Sequence, residues 1–219
     1  MAQTNIIGTL NLLSSVHKNG IKLDTFINLG TCEEYGSSSQ PFNEQQVPDP
    51  VSVYSGTKAA TSQLCRMFFN LYNIPVVTAR PTLVYGPGQS DRFFITQAIN
   101  KLMRNEDFDM TEGEQTRDFI FVADIVSALV ELSKTPSLAG DVVNISSGVE
   151  YKLKEIVQKI SLLTQSKSKI NFGVIPYRQN EIMRYSADNS KLLSHTNWRP
   201  SVDLDEGLRR IIDSISNEQ

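Results

Sequence analysis

The spacing of apolar residues changes within the first thirty positions of the chain. Residues 4–17 carry apolar side chains at intervals of three and four, which predicts a helix that Asn19 and Gly20 bring to an end. Residues 26–29 then form a short apolar run that stops at Gly30. A run of this length is typical of a buried strand. We therefore predict a helix followed by a strand.

A long polar loop separates this strand from the next helix. Residues 36–51 contain three serines and three prolines, a composition typical of loops. Helical spacing returns over residues 53–71, and a second strand-like run covers 76–79. Strand, loop, helix and strand in this order form a βαβ unit, which predicts an α/β fold with a doubly wound parallel sheet.

The second half of the chain has a less regular pattern, in which short strands and helices alternate. The predicted helices cover residues 93–102, 125–132, 153–163, 189–195 and 204–215. The predicted strands cover residues 118–122, 142–145 and 170–175. We expect a sheet domain in residues 1–90, with returning segments near 115–145. Residues 91–219 are expected to form mainly a smaller α+β lobe.

Composition and charge argue against several classes of protein. The 219 residues carry a formal net charge of −3, and Lys and Arg are scattered along the chain, which is unlike a protein that coats nucleic acid. No apolar run approaches the roughly 20 residues that cross a bilayer. The two cysteines and two histidines lack metal-ligand spacing, so we predict no metal site and a reducing cytoplasm.

Candidate chemistry begins with Tyr54 and Lys58, which lie four positions apart on the helix predicted over residues 53–71. Side chains at this spacing face the same way. A phenol with a pKa of about 10 is a poor base at neutral pH, and a nearby cation favours the phenolate. We therefore predict that Lys58 lowers the pKa of Tyr54 and lets the phenol exchange a proton with a hydroxyl. Taken alone the pair is a weak signal, because such pairs are common on solvated helices.

Two loops are expected at the same edge of the sheet as the start of this helix. Residues 31–36 follow the first strand and residues 80–88 follow the second. Ligands of a doubly wound sheet bind beyond the carboxyl ends of its strands. Thr31 offers a hydroxyl that can hydrogen-bond a reacting oxygen, and Glu33 offers a carboxyl group as an acid or base.

Several segments, in this order, resemble the extended short-chain dehydrogenase/reductase family of nucleotide-sugar epimerases, dehydratases and reductases. The similar segments are Asn5-Ile6-Ile7-Gly8-Thr9, residues 30–36, Tyr54-x-x-x-Lys58, residues 80–88, residues 113–124 and residues 177–181. The resemblance runs from Thr4 to the end of the chain. It implies a partial Rossmann-like dinucleotide-binding domain followed by a nucleotide-sugar-binding lobe.

The resemblance implies roles for residues of the first domain. Thr31 would polarise the sugar C4 oxygen and Tyr54 would exchange a proton with it, while Lys58 would bind the nicotinamide ribose and Glu33 would act as a further acid or base. The cofactor would be NAD or NADP. Its predicted contacts are Thr4, Tyr54, Lys58, Pro81 and Thr82.

The resemblance also implies how the second lobe would hold its substrate. Arg117 would reach the diphosphate of a nucleotide sugar, because a guanidinium pairs with phosphate oxygens in two directions at once. Arg178 would grip phosphate and Glu181 would hold the nucleotide ribose, with Arg92 as a further substrate contact. A full-length relative would form a homodimer, in which the helix after Tyr54 supplies either an interface or core residues. These residues are Leu64, Met67, Phe68 and Leu71.

One feature of the family is missing from this sequence. The family opens with a Gly-x-x-Gly-x-x-Gly turn that holds the cofactor pyrophosphate at a helix N-terminus, and none of the twelve glycines here has that arrangement. The first βαβ units, on the order of 90 residues, would be absent as well. We expect either a piece of a longer reading frame or a non-catalytic remnant. We also expect this chain to bind NAD(P) poorly.

Two departures from the family pattern bear on the reaction. Leu83 stands where many relatives carry a sugar-contacting asparagine or serine, and Cys32-Glu33 stands where glucose-nucleotide dehydratases carry Asp-Glu. A thiol with an ordinary pKa of about 8.5 is a weak candidate for the proton donor of a dehydration. The sequence therefore favours C4 epimerisation or 4-keto reduction, with 4,6-dehydration as the alternative.

Overall fold

The computed structural model describes residues 1–217 and divides the chain into two compact units. The first unit comprises residues 1–82, 125–148 and 187–199. The second unit comprises residues 83–124 and 149–186 together with the described residues from Pro200 onward. The assignment of one part of the chain to a dinucleotide and of the other to a nucleotide sugar stays a prediction.

Helices and strands are interspersed along the chain, and most of the strand pairs are parallel. The helices are α1 (Thr9–Lys18), α2 (Val53–Tyr72), α3 (Phe94–Met103), α4 (Val122–Ser133), α5 (Leu153–Leu163), α6 (Ser190–His195) and α7 (Leu204–Asn217). The strands are β1 (Phe26–Leu29), β2 (Val76–Pro81), β3 (Leu83–Tyr85), β4 (Phe108–Asp109), β5 (Thr116–Phe121), β6 (Val142–Ile145), β7 (Glu150–Lys152), β8 (Ile170–Asn171) and β9 (Arg184–Tyr185). A π-helical segment, Gln3–Gly8, leads directly into α1. Two 3-10 turns, Cys32–Tyr35 and Pro136–Leu138, occur in the first unit.

The sheet of the first unit has three parallel strands in the order β1-β2-β6. All six residues of β2 are buried, because the strand lies between two neighbours. The chain passes from β1 through α2 to β2, so the predicted βαβ unit is confirmed. Asn73 ends α2 in a left-handed conformation (φ 53°), which Asn tolerates better than most residues.

The N-terminal helix packs against α2 in the first unit. Asn5 Nδ2 donates to Thr57 Oγ1 at 2.9 Å, and Thr61 Oγ1 donates to the Asn5 carbonyl at 3.0 Å. Apolar residues below these bonds form a buried cluster of Leu13, Cys65, Phe68, Ile74 and Val76. The segment from Gln3 to Lys18 is therefore fixed to the helix that carries Tyr54 and Lys58.

In the second unit β5 is the central strand. β3 and β9 run parallel to it, and β7 runs antiparallel. Helices α3, α5 and α7 cover an apolar core, whose fully buried members include Ile99, Leu102, Ile156, Ile160 and Leu208. The second unit thus combines parallel and antiparallel strand pairs with three covering helices.

The structure corrects the sequence interpretation at two places. The segment after β2 is not a continuous loop, because residues 83–85 form β3 and pair with residues 119–121 of β5. The strand expected over residues 170–175 ends after Asn171, because Gly173 has a φ of +75° and turns the chain. The short strands β4, β7 and β9 were not expected, since two or three residues are too few to show a period.

Candidate active site

Thr31 follows β1 and begins the 3-10 turn Cys32–Tyr35. Its hydroxyl accepts a hydrogen bond from the Glu33 N–H at 3.2 Å, and its own N–H donates to Glu34 Oε1 at 3.1 Å. These bonds belong to a reciprocal capping box, which satisfies the first donors of the turn. Thr31 is buried, so its hydroxyl is held in one place at the end of the strand.

Tyr54 lies in the first turn of α2, two positions after the capping residue Ser52. The N–H groups of Ser52 and Ser55 each donate to the other residue's hydroxyl at 3.0 Å, which fixes where the helix begins. The Thr31 side chain lies close enough to the Tyr54 phenol to lower its pKa, and Tyr54 remains 37% exposed. The structure therefore brings together two predicted catalytic residues and leaves the phenol open to a ligand.

Lys58 lies one helical turn after Tyr54, as the sequence predicts. Its Nζ is 5.9 Å from the centroid of the Tyr54 ring and donates to the Leu29 carbonyl at 2.8 Å. Leu29 is the last residue of β1. An ammonium group has three donors, so the bond to Leu29 leaves two for the hydroxyls of a ligand.

The pKa of Tyr54 differs from the sequence prediction. Burial is the largest cause of a raised pKa, and the negative charges of Glu33 and Glu34 add to it, while the hydrogen bond from Thr31 acts in the opposite direction. The ammonium of Lys58 is held at a backbone carbonyl, and any attraction it exerts is outweighed. The predicted lowering is therefore wrong for this structure, and Tyr54 keeps its proton at neutral pH.

Two adjacent glutamates have very different surroundings. Glu33 is half-buried, and burial raises the pKa of its carboxyl group, which suits the predicted acid or base. Glu34 is fully buried and accepts hydrogen bonds from Arg80 Nη2 at 2.6 Å and Nε at 3.0 Å. Sequence reasoning missed Glu34 and Arg80. The sequence feature that could have indicated them is Gly30. In the structure a Cβ at this position would lie 2.5 Å from Glu34 Oε1.

The predicted cofactor contacts all lie in the first unit. Tyr54 and Lys58 are neighbours, and their role toward a ribose stays a prediction. Thr4 is exposed in the π-helical segment, whereas Pro81 and Thr82 are buried at the end of β2. The Thr82 N–H donates to the Ile145 carbonyl at 3.0 Å. The roles of Thr4, Pro81 and Thr82 stay predictions.

The predicted substrate contacts all lie in the second unit. Arg117 Nη2 and Glu181 Oε1 form an ion pair at 2.6 Å, with side chains 14% and 17% exposed. Burial lowers the pKa of Arg117, and the charge of Glu181 acts against this shift. Arg92 and Arg178 are exposed. The structure thus brings Arg117 and Glu181 together, and the roles of all four residues stay predictions.

The cysteines and histidines have structural surroundings. Cys32 and Cys65 are buried free thiols. The His17 ring stacks on Tyr72 with centroids 3.9 Å apart, and His195 Nδ1 lies 2.9 Å from the Lys191 carbonyl. Among residues 1–217, no three His, Cys, Asp or Glu side chains form a group that could hold a metal ion. Within the same residues, every helix is too short or too polar to cross a bilayer.

The fold and this site define a class of protein. A parallel sheet with Thr31 at the end of one strand, and with Tyr54 and Lys58 on the next helix, is the arrangement of Rossmann-like short-chain dehydrogenases/reductases. The family profile described as GDP-mannose 4,6 dehydratase matches residues 1–211, and the chain belongs to this family.

Individual relatives carry several different activities. A GDP-6-deoxy-D-mannose reductase from Pseudomonas aeruginosa is 29% identical over an alignment of 219 positions, which covers 96% of this chain and 71% of the reductase. The structure of RMD from Pseudomonas aeruginosa complexed with NADPH is 28% identical with a TM-score of 0.90, and the match covers 100% of this chain and 75% of that one. A UDP-glucuronic acid 4-epimerase from Bacillus cereus, in complex with UDP-glucuronic acid and NAD, is 29% identical with a TM-score of 0.90. This match covers 99% of this chain and 69% of the epimerase.

The chain is shorter than the proteins it resembles. It spans 71% of the Pseudomonas reductase and 60% of a mouse dTDP-D-glucose 4,6-dehydratase. The activity, substrate and partners of the whole protein are therefore matters for proposal.

Proposed function

We propose that this chain carries the acid–base part of an NAD(P)-dependent enzyme that acts on the sugar C4 of a nucleotide sugar, as a 4-epimerase or 4-ketoreductase. The observation that carries the proposal is the placement of the Thr31 side chain beside the Tyr54 phenol, close enough to lower its pKa, with Lys58 one turn further along α2. The names of two relatives, a reductase and a 4-epimerase, support the same pair of reactions.

Each residue of the group has a distinct task in this proposal. Thr31 and Tyr54 hold the C4 oxygen between their hydroxyl groups, and Tyr54 transfers the proton. Because its pKa is raised, Tyr54 begins as a donor, which favours reduction of a 4-keto sugar over oxidation of an alcohol. The two remaining donors of Lys58 orient the ribose of the cofactor. A bound nicotinamide supplies or accepts the hydride, which no side chain can do.

A 4,6-dehydratase is the second candidate, and Glu33 favours it. Removal of water across C5 and C6 requires a base at C5, and Glu33 is a half-buried carboxyl group close enough to Tyr54 to raise its pKa. The description of the matching family supports the same reaction. The missing element is an acid for the C6 hydroxyl. Cys32, the nearest counterpart in sequence, is buried and donates to the Arg80 carbonyl at 3.2 Å.

The remaining parts of the proposal concern substrate, partner and compartment. Arg117 exchanges its bond to Glu181 for the substrate diphosphate, which frees Glu181 for the nucleotide ribose. The whole enzyme forms a homodimer through α1 and α2, because Met67 and Leu71 are exposed apolar residues of α2. Leu64 is half-buried beside them, whereas Phe68 belongs to the core. The buried free thiols favour a reducing compartment, the cytoplasm.

Turnover of defined nucleotide sugars tests the proposal. The 219-residue chain is incubated with GDP-, UDP- or dTDP-linked sugars and with millimolar NAD or NADP(H), because the chain is expected to bind the cofactor weakly. Proton NMR distinguishes inversion at C4, reduction and loss of water. Tyr54→Phe should abolish turnover and leave sugar-nucleotide binding intact. Tyr72→Phe, at the other end of the same helix, is the matched control and should be active. Full activity of Tyr54→Phe would refute the site.

Binding without turnover has its own meaning. If the unaltered chain binds nucleotide sugars, seen by saturation-transfer NMR, but converts none of them, the non-catalytic alternative is supported. Absence of both binding and turnover contradicts the whole proposal.

A further inference from the structure

The side chain of Glu34 is a fully buried carboxylate at the back of the Thr31 turn. A charge in this position is costly unless every lone pair has a donor. Glu34 Oε1 accepts a hydrogen bond from the Thr31 N–H at 3.1 Å. Oε2 accepts hydrogen bonds from Nε and Nη2 of Arg80 and from Ser62 Oγ, the last at 2.8 Å. The carboxylate therefore has partners on both oxygens, and one of them is the backbone of a site residue.

These bonds join three separate elements of the first unit. Thr31 lies in the loop after β1, Ser62 lies on α2, and Arg80 lies on β2. Because α2 also carries Tyr54, Glu34 is bonded both to the Thr31 backbone and to the helix that carries Tyr54. Arg80 is in turn packed on the Tyr35 ring, with its Cζ 4.5 Å from the ring centroid. The position of Thr31 relative to α2 is thus set by a fully buried side chain.

Gly30 makes the contact between Glu34 and Thr31 possible. A Cβ at residue 30 would meet Glu34 Oε1 at 2.5 Å, closer than side-chain atoms pack. The carboxylate reaches the Thr31 N–H only because the preceding residue has no side chain. The hydroxyl of the next residue, Thr31, accepts the Glu33 N–H at 3.2 Å and lies near enough to the Tyr54 phenol to lower its pKa.

We propose that Glu34 is the positioning residue of this site, which holds the Thr31 N–H so that the Thr31 hydroxyl meets the Tyr54 phenol. The role as positioning for catalysis rests on the proposed function, whereas the geometry it controls exists without ligand. Glu33, the neighbouring carboxyl group, then acts on the substrate side of the turn, and Glu34 acts behind it.

A pair of double variants separates positioning from a general contribution to stability. Glu34→Gln/Arg80→Met removes both charges but keeps an amide oxygen that accepts the Thr31 N–H. Glu34→Leu/Arg80→Met removes the same charges and also the acceptor. Because both variants lack the ion pair, its effect on stability and on the charge near Tyr54 cancels in the comparison.

Two NMR signals report the outcome in the ligand-free chain. The pKa of Tyr54 is followed by ring-labelled tyrosine, with Tyr54→Phe to assign the signal, and the Thr31 amide is followed in a nitrogen–proton spectrum. In the Leu variant we expect a higher Tyr54 pKa than in the Gln variant, because the Thr31 hydrogen bond lowers it, and an upfield shift of the Thr31 amide proton. Identical titration curves in the two variants would overturn the proposal.

Gly30→Ala provides a second measurement if the double variants do not fold. The added methyl group displaces the Glu34 carboxylate but leaves its charge and that of Arg80 in place, so the same upward shift of the Tyr54 pKa is expected. Gly56→Ala is the matched control, because a Cβ at residue 56 meets no atom within 4 Å. An unchanged Tyr54 titration in Gly30→Ala, with the fold retained, contradicts positioning by Glu34.

The two proposals fail in different ways. If the NMR signals respond as expected but no nucleotide sugar is bound or converted, the positioning contact stands and the proposed function fails. If the sugars are converted but the two double variants have the same kcat and the same Tyr54 titration, the function stands and Glu34 is only a structural residue.

Discussion

The most buried ion pairs of the two units, among the described residues, differ in how far water reaches them. In the first unit the side chains of Glu34 and Arg80 are 0% and 2% exposed. In the second unit Arg117 and Glu181 are 14% and 17% exposed, and Arg184 and Glu150 are 51% and 24% exposed. A fully buried pair holds a single geometry, because loss of either partner leaves an uncompensated charge. A pair in contact with water separates at much lower cost.

This difference matches the tasks that we propose for the two units. Proton transfer needs groups at fixed distances, and the Thr31 loop rests on the buried pair of the first unit. An arginine that binds a diphosphate must be able to leave its carboxylate partner in the protein. Arg117 is paired with such a carboxylate at a partly exposed site. Four experiments test these assignments, and they follow in order of decreasing expected effect.

The largest expected effect is on stability. Arg80→Met leaves Glu34 as a buried carboxylate without its cation, which should lower the free energy of unfolding by about 3–5 kcal/mol. Trp198, the single tryptophan, is buried in the first unit, so its fluorescence during urea unfolding measures this loss. Arg184→Met in the second unit is the control and should cost less than about 1 kcal/mol. Equal losses would remove the distinction between the pairs.

The next effect is on substrate binding. Arg117→Met removes a charged donor from the second unit, and hydrogen bonds to charged groups contribute about 1.5–3 kcal/mol, so we expect nucleotide-sugar affinity to fall roughly 10- to 100-fold. Isothermal titration with GDP-mannose, UDP-glucose and dTDP-glucose measures the change. Arg104→Met changes an exposed arginine of the same unit and should leave affinity unaltered. An Arg117→Met chain that binds as tightly as the unaltered one would rule out the predicted role.

A smaller effect concerns the ionisation of Tyr54. Its pKa is raised, so the phenol should stay protonated past the ordinary tyrosine value of about 10. The stability that this shift contributes is complete below that value and is lost as pH rises through the raised pKa. Glu33→Gln should lower the Tyr54 pKa, and Thr31→Val should raise it further, as measured by NMR titration. Movement of both variants in one direction would contradict the assigned causes.

The smallest effect concerns an ordinary surface pair of the second unit. Arg210 Nε donates to Glu206 Oε1 at 2.8 Å across one turn of α7, with side chains 47% and 48% exposed. Arg210→Ala should cost about 0.3–0.5 kcal/mol of stability at low ionic strength and less in 1 M salt, where such pairs are screened. Urea unfolding at two salt concentrations checks this. A salt-independent loss would point to packing of the Arg210 stem instead.

The sequence predicted most of the fold because its helices and buried strands are long enough to show a period. α2 has twenty residues, and helical spacing alone predicts residues 53–71 of it. The strands β4 and β9 have two residues each, and tertiary pairing alone defines them. The strand predicted over residues 170–175 ends early because Gly173 has a positive φ. The residues around Gly173 do not indicate that conformation.

For the site, sequence and structure agree on position but differ on charge. Tyr54, Lys58 and Thr31 lie together as the motifs predict. The pKa of Tyr54 could not be predicted from spacing, because it depends on burial and on where the Lys58 ammonium is bound. Which of the two adjacent glutamates is buried depends on the direction that the 3-10 turn gives to each side chain. It depends as well on Arg80, which is 46 positions from Glu34 along the chain. A motif of six residues contains neither piece of information.

The close approach of Gly30 to the Glu34 carboxylate also limits the order in which substitutions can accumulate during divergence. With Glu34 in place, a side chain at residue 30 meets an oxygen at 2.5 Å, and Thr78 Cγ2 and the Ala79 carbonyl at 3.2 and 3.3 Å prevent it from moving aside. A lineage therefore gains Ala or Ser at residue 30 most easily after residue 34 has been shortened. Because loss of Glu34 or Arg80 alone leaves the other charge buried, those two positions change most easily together. The three positions are expected to change as a set, and the intermediate genotypes that break the sequence of changes should be the rarest.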